Sequence, residues 1–287
     1  NVCYQLGIDY NIRDVQLVDL IDKETGLMDL ALTVAYKGGV NYPDVFGTTA
    51  IWDSIIYRYL NLRNVAIPPN KRKMKDPYPG GYVKEPVTGF SEWVTSFDLN
   101  SLYPNLIVQY NMSPETLLRS PSDKLPSGVD FYLRDGDPLN PANRQRDVSV
   151  AANGSTYRKD KQGVMPKIIV DLYDERRKTK KEMLRLEQEA QSSKSAATDL
   201  KREINKLNNT QQAVKILLNS LYGALGNQYF HYFEMDIAEG ITLSGQLSIR
   251  WAEKTMNNAL NKILKTEDKD YVIAIDTDSL YVNMAPL

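Results

Sequence analysis

Three acidic residues stand where their chemistry would matter. Asp276-Thr277-Asp278 sits between two apolar runs, Tyr271–Ile275 and Leu280–Val282, a pattern of strand, tight acidic turn and strand. Asp98 closes a third run, Trp93–Leu99, rich in β-branched and aromatic residues. Carboxylates buried beside such strands are costly unless paired or metal-bound. If the strands are neighbours in one sheet, the three acids meet at one edge and repel unless cations lie between them. Mg²⁺ takes a few carboxylates together with waters and substrate phosphates. That is the two-metal arrangement for in-line phosphoryl or nucleotidyl transfer, with ions roughly 4 Å apart. Plainer roles exist for each acid alone. Asp is a common turn residue, and Asp98 could cap the helix suggested by Ser101–Tyr110.

A second group of residues suits a polyanion. Lys215, Asn219 and Tyr222 are spaced four and three apart, so on a helix they share an arc of roughly 60°. A cation, an amide and an aromatic on one stripe can reach a phosphate, a sugar and a base. The same stripe also fits an ordinary amphipathic edge. Arg176 and Lys180 are four apart on a preceding helical run, where the alternative is a solvated face. Between Lys167 and Lys215, twelve basic residues stand against eight acidic ones. Positive charge is concentrated there.

The elements that must position these residues are a mixture of helices and strands, an α+β pattern. Helical spacing runs over Ile12–Lys23 and Thr49–Leu62, flanking a glycine turn at Lys37-Gly38-Gly39. A Pro-, Gly- and Lys-rich linker covers Ile67 to Gly81. Turn formers fill 118–165, where Asn153-Gly154 between Val148–Ala152 and Ser155–Arg158 predicts a hairpin. Long helices are expected over Pro166–Ala190, Asp199–Tyr222 and Asp236–Leu264, with a Ser/Ala-rich break at Gln191–Thr198 joining the first two as a helical hairpin.

Composition sets limits. With 287 residues, 42% hydrophobic and 25% charged, the chain can bury a core. Its net charge of −1 excludes a uniformly basic nucleic-acid coat but not a local basic groove. One cysteine, Cys3, and one histidine, His231, allow neither an internal disulfide nor a Cys/His zinc site. No run approaches the ~18 consecutive apolar residues of a membrane span. The opening Asn1-Val2-Cys3-Tyr4 has neither an initiator Met nor a signal peptide, which suggests the interior of a longer protein and a reducing, cytoplasmic setting.

Taken together, the motifs resemble DNA polymerase family B, most closely the replicative enzymes of T-even-type bacteriophages. Asp98-Leu99-Asn100-Ser101-Leu102-Tyr103-Pro104 is similar to motif A, Lys215-Ile216-Leu217-Leu218-Asn219-Ser220-Leu221-Tyr222-Gly223 to motif B, and Asp276-Thr277-Asp278-Ser279 to motif C, in the family's order. Tyr78-Pro79-Gly80-Gly81 resembles the Tyr-x-Gly-Gly element, and Tyr10-Asn11-Ile12-Arg13-Asp14 the third exonuclease motif. The resemblance implies an antiparallel palm sheet with packed helices and an antiparallel two-helix fingers hairpin. Residues 1–65 would be the end of an exonuclease region, 66–165 the linker and first part of the palm, 166–226 the fingers, and 227–287 the second part of the palm.

The same resemblance implies roles. Asp98 and Asp278 would be the main Mg²⁺ ligands with the Leu99 carbonyl, and Asp276 an auxiliary acid; Mn²⁺ would substitute. The backbone at Leu99, Ser101 and Leu102 would cradle a dNTP. Tyr103 would exclude a ribose 2′-hydroxyl, while Arg176, Lys180 and Lys215 grip the triphosphate. Asn219 and Tyr222 would border the nascent base pair, with Gly223 allowing close approach. Tyr10 and Asp14 would be exonuclease remnants, with no editing by this chain alone. Partners would be primer-template DNA and a second polypeptide or segment carrying the thumb, in the cytoplasm of an infected bacterium, with no membrane. Two departures stand out: Asn105 where the family has Ser, and Ala274-Ile275 in place of Tyr-Gly. A catalytically silent assembly or nucleotide-binding module of a split polymerase is the competing reading. A nucleotide cyclase would leave Tyr103 and Lys215–Gly223 without a role.

Overall fold

Glycines divide the first part of the chain into helices. Helix α1 (Val2–Thr25) and helix α2 (Leu27–Gly38) are separated by Gly26 at φ 63°. Gly39, at φ 67°, then ends α2 by donating its N–H to the Ala35 carbonyl, a left-handed cap. The glycine turn expected from the sequence is this cap. Helix α2 itself has no counterpart among the sequence expectations, which placed only the turn in that stretch. Its β-branched Thr33 and Val34 obscure the pattern, and packing decides the matter: a Cβ on Gly38 would stand 3.0 Å from the Ile51 side chain. A short 3₁₀ turn (Tyr42–Phe46) leads into α3 (Thr48–Asn61).

This computed structural model describes residues 2–69, 74, 76–118, 128–134, 147–192 and 197–287. Parts of the expected linker, of the turn-rich stretch and of the Ser/Ala-rich break, Asn70 and Lys194 among them, lie outside the described residues. After the linker come β1 (Val83–Lys84), β2 (Val94–Asp98), α4 (Leu102–Tyr110), β3 (Leu117–Leu118) and α5 (Val129–Leu133). Next are β4 (Val148–Val150) and β5 (Thr156–Arg158). Three helices follow where helical spacing predicted them: α6 (Val164–Ser192), α7 (Ala197–Leu225) and α8 (Met235–Leu264). Strands β6 (Val272–Asp276) and β7 (Ser279–Asn283) close the series. Every strand pairing is antiparallel, and the fold is α+β. Among the described residues no helix is long and apolar enough to cross a membrane.

The chain forms two compact units. One comprises Asn1–Ile55 and Leu172–Leu217, the other Ile56–Asp171 and Leu218–Leu287. In the first, Val34, Ala35, Ile51 and Trp52 are buried, and Lys37 forms an ion pair with Glu175. From Tyr4 to Thr25 helix α1 is exposed except at the half-buried Asp22.

The second unit holds both sheets. The larger has the order β1-β6-β7-β2, the smaller β3-β5-β4. The predicted Asn153-Gly154 hairpin is present, with Gly154 at φ 80° and Val150 paired with Thr156. Asn153 Nδ2 donates to the Asp236 carbonyl at 2.9 Å, fastening the loop to the start of α8. That helix buries Ile237, Ile241, Gly245 and Ile249, a repeat of four that forms a single stripe. Ile249 and Leu260 join Val272, Ile275, Leu280 and Val282 in one core cluster. Strand β2, by contrast, is exposed at all five residues. As the last strand of the sheet it has only β7 beside it.

Lys84 ties the opposite edge strand down. Its ammonium bonds Glu253 at 2.6 Å and also Asp270, with the Lys84 and Glu253 side chains only 17% and 18% exposed. Burial alone would lower the Lys84 pKa, but the hydrogen bonds and charges of Asp270 and Glu253 outweigh it and hold the ammonium above its usual value. For Asp270, burial pushes upward, but hydrogen bonds from Lys84 and Asn257 prevail and its carboxyl lies below the usual range. A depressed carboxyl stabilises the fold above its unfolded pKa, and that contribution is lost as pH falls through the folded value. Replacing Lys84 with Met should therefore cost about 1–2 kcal/mol at neutral pH, with the deficit shrinking as Asp270 protonates. Urea melts of both proteins at neutral and acidic pH test this; an equal deficit at both would refute the charge assignment.

Candidate active site

The register between β2 and β7 decides where the acids go. Asp98 is paired with Ser279, and Ser279 is in turn paired with Asp276 on β6. Residues directly opposite share a face, so Asp98, Ser279 and Asp276 form a row across three strands. Asp98 and Asp276 are thus two strand spacings apart, about 10 Å. Asp278 occupies the turn, and its carbonyl accepts the Leu99 N–H at 2.7 Å. The acids therefore share one sheet end, but among the described residues no group of three His, Cys, Asp or Glu closes at metal-holding distances. The closer association is Asp278 with Asp98. Burial, then the charge of Asp98, and more weakly that of Asp276, push the Asp278 carboxyl above its usual range.

The helix-capping alternative for Asp98 does not hold. Ser101 occupies the cap position of α4, at φ 49°, and no side chain caps that end. The Asn105 side chain instead donates to the Asn100 carbonyl at 2.7 Å, which braces the turn after Asp98. Leu99 is half-buried, Leu102 is buried, and Ser101 and Tyr103 are half-buried.

The turn carrying Asp278 is strained. Thr277 has φ 54°, a left-handed conformation that is unfavourable for a β-branched residue. Three contacts hold it. Its N–H donates to the Tyr82 carbonyl at 2.9 Å, and its hydroxyl donates to Asp276 Oδ1 at 3.0 Å. Its side chain also fills the space over Gly81, where a Cβ would stand 2.8 Å from Thr277 Oγ1 and 3.2 Å from the Tyr103 hydroxyl. Only glycine admits that approach. The Gly80 carbonyl accepts from Gln246 Nε2 at 2.7 Å, so the segment before β1 is strapped to α8 as well.

Aromatic side chains form the wall next to these carboxylates. Tyr103 and Tyr222 have ring centroids 4.6 Å apart at 48°, and the Tyr78 and Tyr222 hydroxyls are 3.5 Å apart. Gly245 makes room for the Tyr103 ring, since a Cβ there would meet it at 3.0 Å. Burial, followed by the nearby Asp278 charge, raises the Tyr103 pKa. Burial and the Tyr78 hydroxyl raise that of Tyr222. Both phenols are neutral at physiological pH.

On α7 the predicted stripe is real. Val214, Leu217, Leu218, Leu221 and Leu225 are buried, whereas Lys215, Asn219 and Gly223 are exposed and Tyr222 is half-buried. Asn219, Tyr222 and Gly223 belong to the unit that carries the acids; Arg176, Lys180 and Lys215 belong to the other. There, Arg176 Nε is buried with no hydrogen-bond partner among the described residues, and Lys180 is exposed. Tyr10 and Asp14 lie one turn apart on α1, both exposed. Sequence reasoning missed Tyr78, Thr277 and Gly245 as parts of the site. The Tyr78-Pro79-Gly80-Gly81 string was the available signal for the first of these; the other two show only in three dimensions.

Residues suited to a divalent ion are Asp98, Asp278 and the Leu99 carbonyl. None of the three acids has an ion-pair partner among the described residues, and Asp278 bears the unrelieved repulsion of its neighbours. Two carboxylates with waters and phosphate oxygens are the donors magnesium accepts, so the residues present fit the ion.

Comparison with known proteins accords with this geometry. The sequence profile of DNA polymerase family B matches residues 48–286. The DNA-directed DNA polymerase of Escherichia phage RB69 is 33% identical over 98% of this chain, and that of Enterobacteria phage T4 is 34% identical over 97%. This chain covers 35% of each of those proteins, about a third of their length. The solved structure of the family B DNA polymerase from Pyrobaculum calidifontis has a TM-score of 0.59 at 24% identity, across 92% of this chain and 30% of that one. With a profile match spanning most of its length and phage relatives at about one-third identity, the chain belongs to DNA polymerase family B.

Proposed function

We propose that this chain carries the nucleotidyl-transfer centre of a DNA-directed DNA polymerase. The carrying observation is the Asp98–Asp278 pair, set side by side by the β2–β7 register and walled by Tyr103 and Tyr222. In the reaction, the primer 3′-oxygen bonds the α-phosphorus of a dNTP, the bond to the β-phosphate bridging oxygen breaks, and pyrophosphate leaves with the hydroxyl proton passing to solvent. Asp98, Asp278 and the Leu99 carbonyl would hold two Mg²⁺ ions, for which Mn²⁺ would substitute, with Asp276 as an outlying acid. Bound there, the ions would offset triphosphate charge and acidify the primer hydroxyl.

The protein's own groups do the positioning. The backbone at Leu99, Ser101 and Leu102, around the left-handed turn at Ser101, would cradle the triphosphate. Arg176, Lys180 and Lys215 neutralise the triphosphate, and the unpartnered Nε–H of Arg176 suits an anionic acceptor. The Tyr103 ring occupies the space that a ribose 2′-hydroxyl would need. Tyr222, Asn219 and Gly223 border the nascent base pair, and Tyr78 holds the Tyr222 hydroxyl in place. In domain terms, residues 1–65 correspond to the end of an exonuclease region, including Tyr10 and Asp14, 166–226 to fingers, and 66–165 with 227–287 to palm.

Three substitutions in the intact protein test this reading. Asp98→Asn should reduce primer extension by at least about 10³-fold. Its melting temperature without metal should match or exceed that of wild type, because it removes repulsion with Asp278; substantial extension by this variant would dismiss the assignment. Tyr103→Ala should improve incorporation of ribonucleotides relative to deoxynucleotides by roughly tenfold or more, measured as a ratio of kcat/KM; an unchanged ratio argues against the gate. Tyr78→Phe keeps the ring and loses one hydroxyl contact, so a roughly 2–10-fold drop in kcat/KM for dNTP is expected. Wild-type kinetics in that variant would show that the hydroxyl pair is incidental.

A further inference from the structure

One face of α6 carries charge that the active site does not use. Between Arg176 and Arg185 stand six basic residues and a single acid, Glu182. Arg176 and Lys180 belong to the triphosphate reading above. Arg177, Lys178, Lys181 and Arg185 do not. At 3.6 residues per turn these four share an arc of about 100°. That arc lies opposite Met183 and Leu186, which are buried, and all four cations are exposed.

The ridge is under-neutralised. Arg177 bonds Asp174 at 2.8 Å, and Arg185 bonds Glu182 at 2.7 Å and Glu189 at 3.0 Å. These are exposed pairs within one helix, easily exchanged for another anion. Lys178 and Lys181 have no ion-pair partner among the described residues. Like charges four apart, as at Arg177, Lys181 and Arg185, destabilise a helix, and an anion laid along the ridge would relieve that repulsion.

We propose that this ridge binds the phosphodiester backbone of single-stranded DNA, the unpaired template, an inference that rests on the polymerase reading. The spacing of the cations favours one strand. Cations four residues apart advance about 6 Å along the axis in single file, which suits the successive phosphates of one strand rather than the two backbones of a duplex. Leu184 is the only exposed large apolar residue between Arg177 and Arg185, so the ridge offers phosphate contacts without the base stacking that aromatic side chains add. Binding is therefore independent of base sequence and steeply salt-dependent.

The test compares the intact wild-type protein with Arg177→Gln/Lys178→Gln/Lys181→Gln, using fluorescence anisotropy of a labelled mixed-sequence single-stranded oligonucleotide. Losing three phosphate contacts should flatten the slope of log affinity against log salt by about two. Between about 50 and 200 mM salt, the wild-type affinity should then fall about 20-fold more than that of the variant. On a primer-template duplex with one unpaired template nucleotide, addition of one dNTP should be equal in the two proteins, because none of the three substituted residues belongs to the nucleotidyl-transfer centre. If neither protein adds nucleotides, the polymerase reading fails while the salt slope still judges the ridge. An unchanged slope in a variant with wild-type melting overturns the proposal and leaves a merely solvated face. Loss of polyglutamate binding with DNA binding intact also overturns it, in favour of an acidic protein partner. Should the triple variant fold poorly, Lys178→Gln/Lys181→Gln should flatten the slope by about one and a half.

Discussion

The pairing of β2 with β7 is the constraint on which the rest of this structure depends. Five residue pairs, from Val94↔Asn283 to Asp98↔Ser279, fix its register, and the Leu99 N–H bond to the Asp278 carbonyl extends it one residue past the strand. A slip of one residue would turn every side chain of β2 to the other face and carry Asp98 away from Asp278. The two carboxylates oppose this arrangement: after burial, the charge of Asp98 is the next cause that raises the Asp278 pKa. Backbone hydrogen bonds and the buried Leu280 and Val282 of β7 therefore hold the site against its own electrostatics.

Local strain accompanies that repulsion. Thr277 and Ser101 both adopt left-handed backbone conformations, each worth about 1–3 kcal/mol for a non-glycine residue. They flank the two acids that matter most. The strand-like strap through Gly80, Gly81 and Tyr82 secures the Thr277 turn on one side, and Asn105 braces the Ser101 turn on the other. In this chain Asn105 has a role apparent from the structure alone: its amide reaches the Asn100 carbonyl. A segment that looks like a linker in the sequence is thus packed against the acidic turn.

Much of this was legible beforehand, for identifiable reasons. Long helices with a fourfold apolar repeat, such as α8, announce themselves because burial on one face dictates their spacing. So does the β6–β7 hairpin, whose apolar strands flank an acidic turn. The stripe of Lys215, Asn219 and Tyr222 was visible because a helix fixes side-chain direction through spacing alone. Other features were not visible. Helix α2 depends on the fit of Gly38 against Ile51, a tertiary contact without a local signature. The separation of Asp276 from Asp98 follows from which strand lies between them, and topology of that kind cannot be counted along a sequence. Nor could the exposure of β2, since an edge strand and a central strand share the same composition.

The distribution of charge completes the argument. Phenol groups of Tyr103 and Tyr222 stand beside the acids, and burial keeps both protonated. They offer rings and hydroxyl donors but no positive charge. Arg176, Lys180 and Lys215 stand instead on α6 and α7, in the compact unit that does not hold the acids. A carboxylate pair walled by neutral phenols has to obtain its compensating charge from what binds there, and a divalent ion supplies it in the smallest volume.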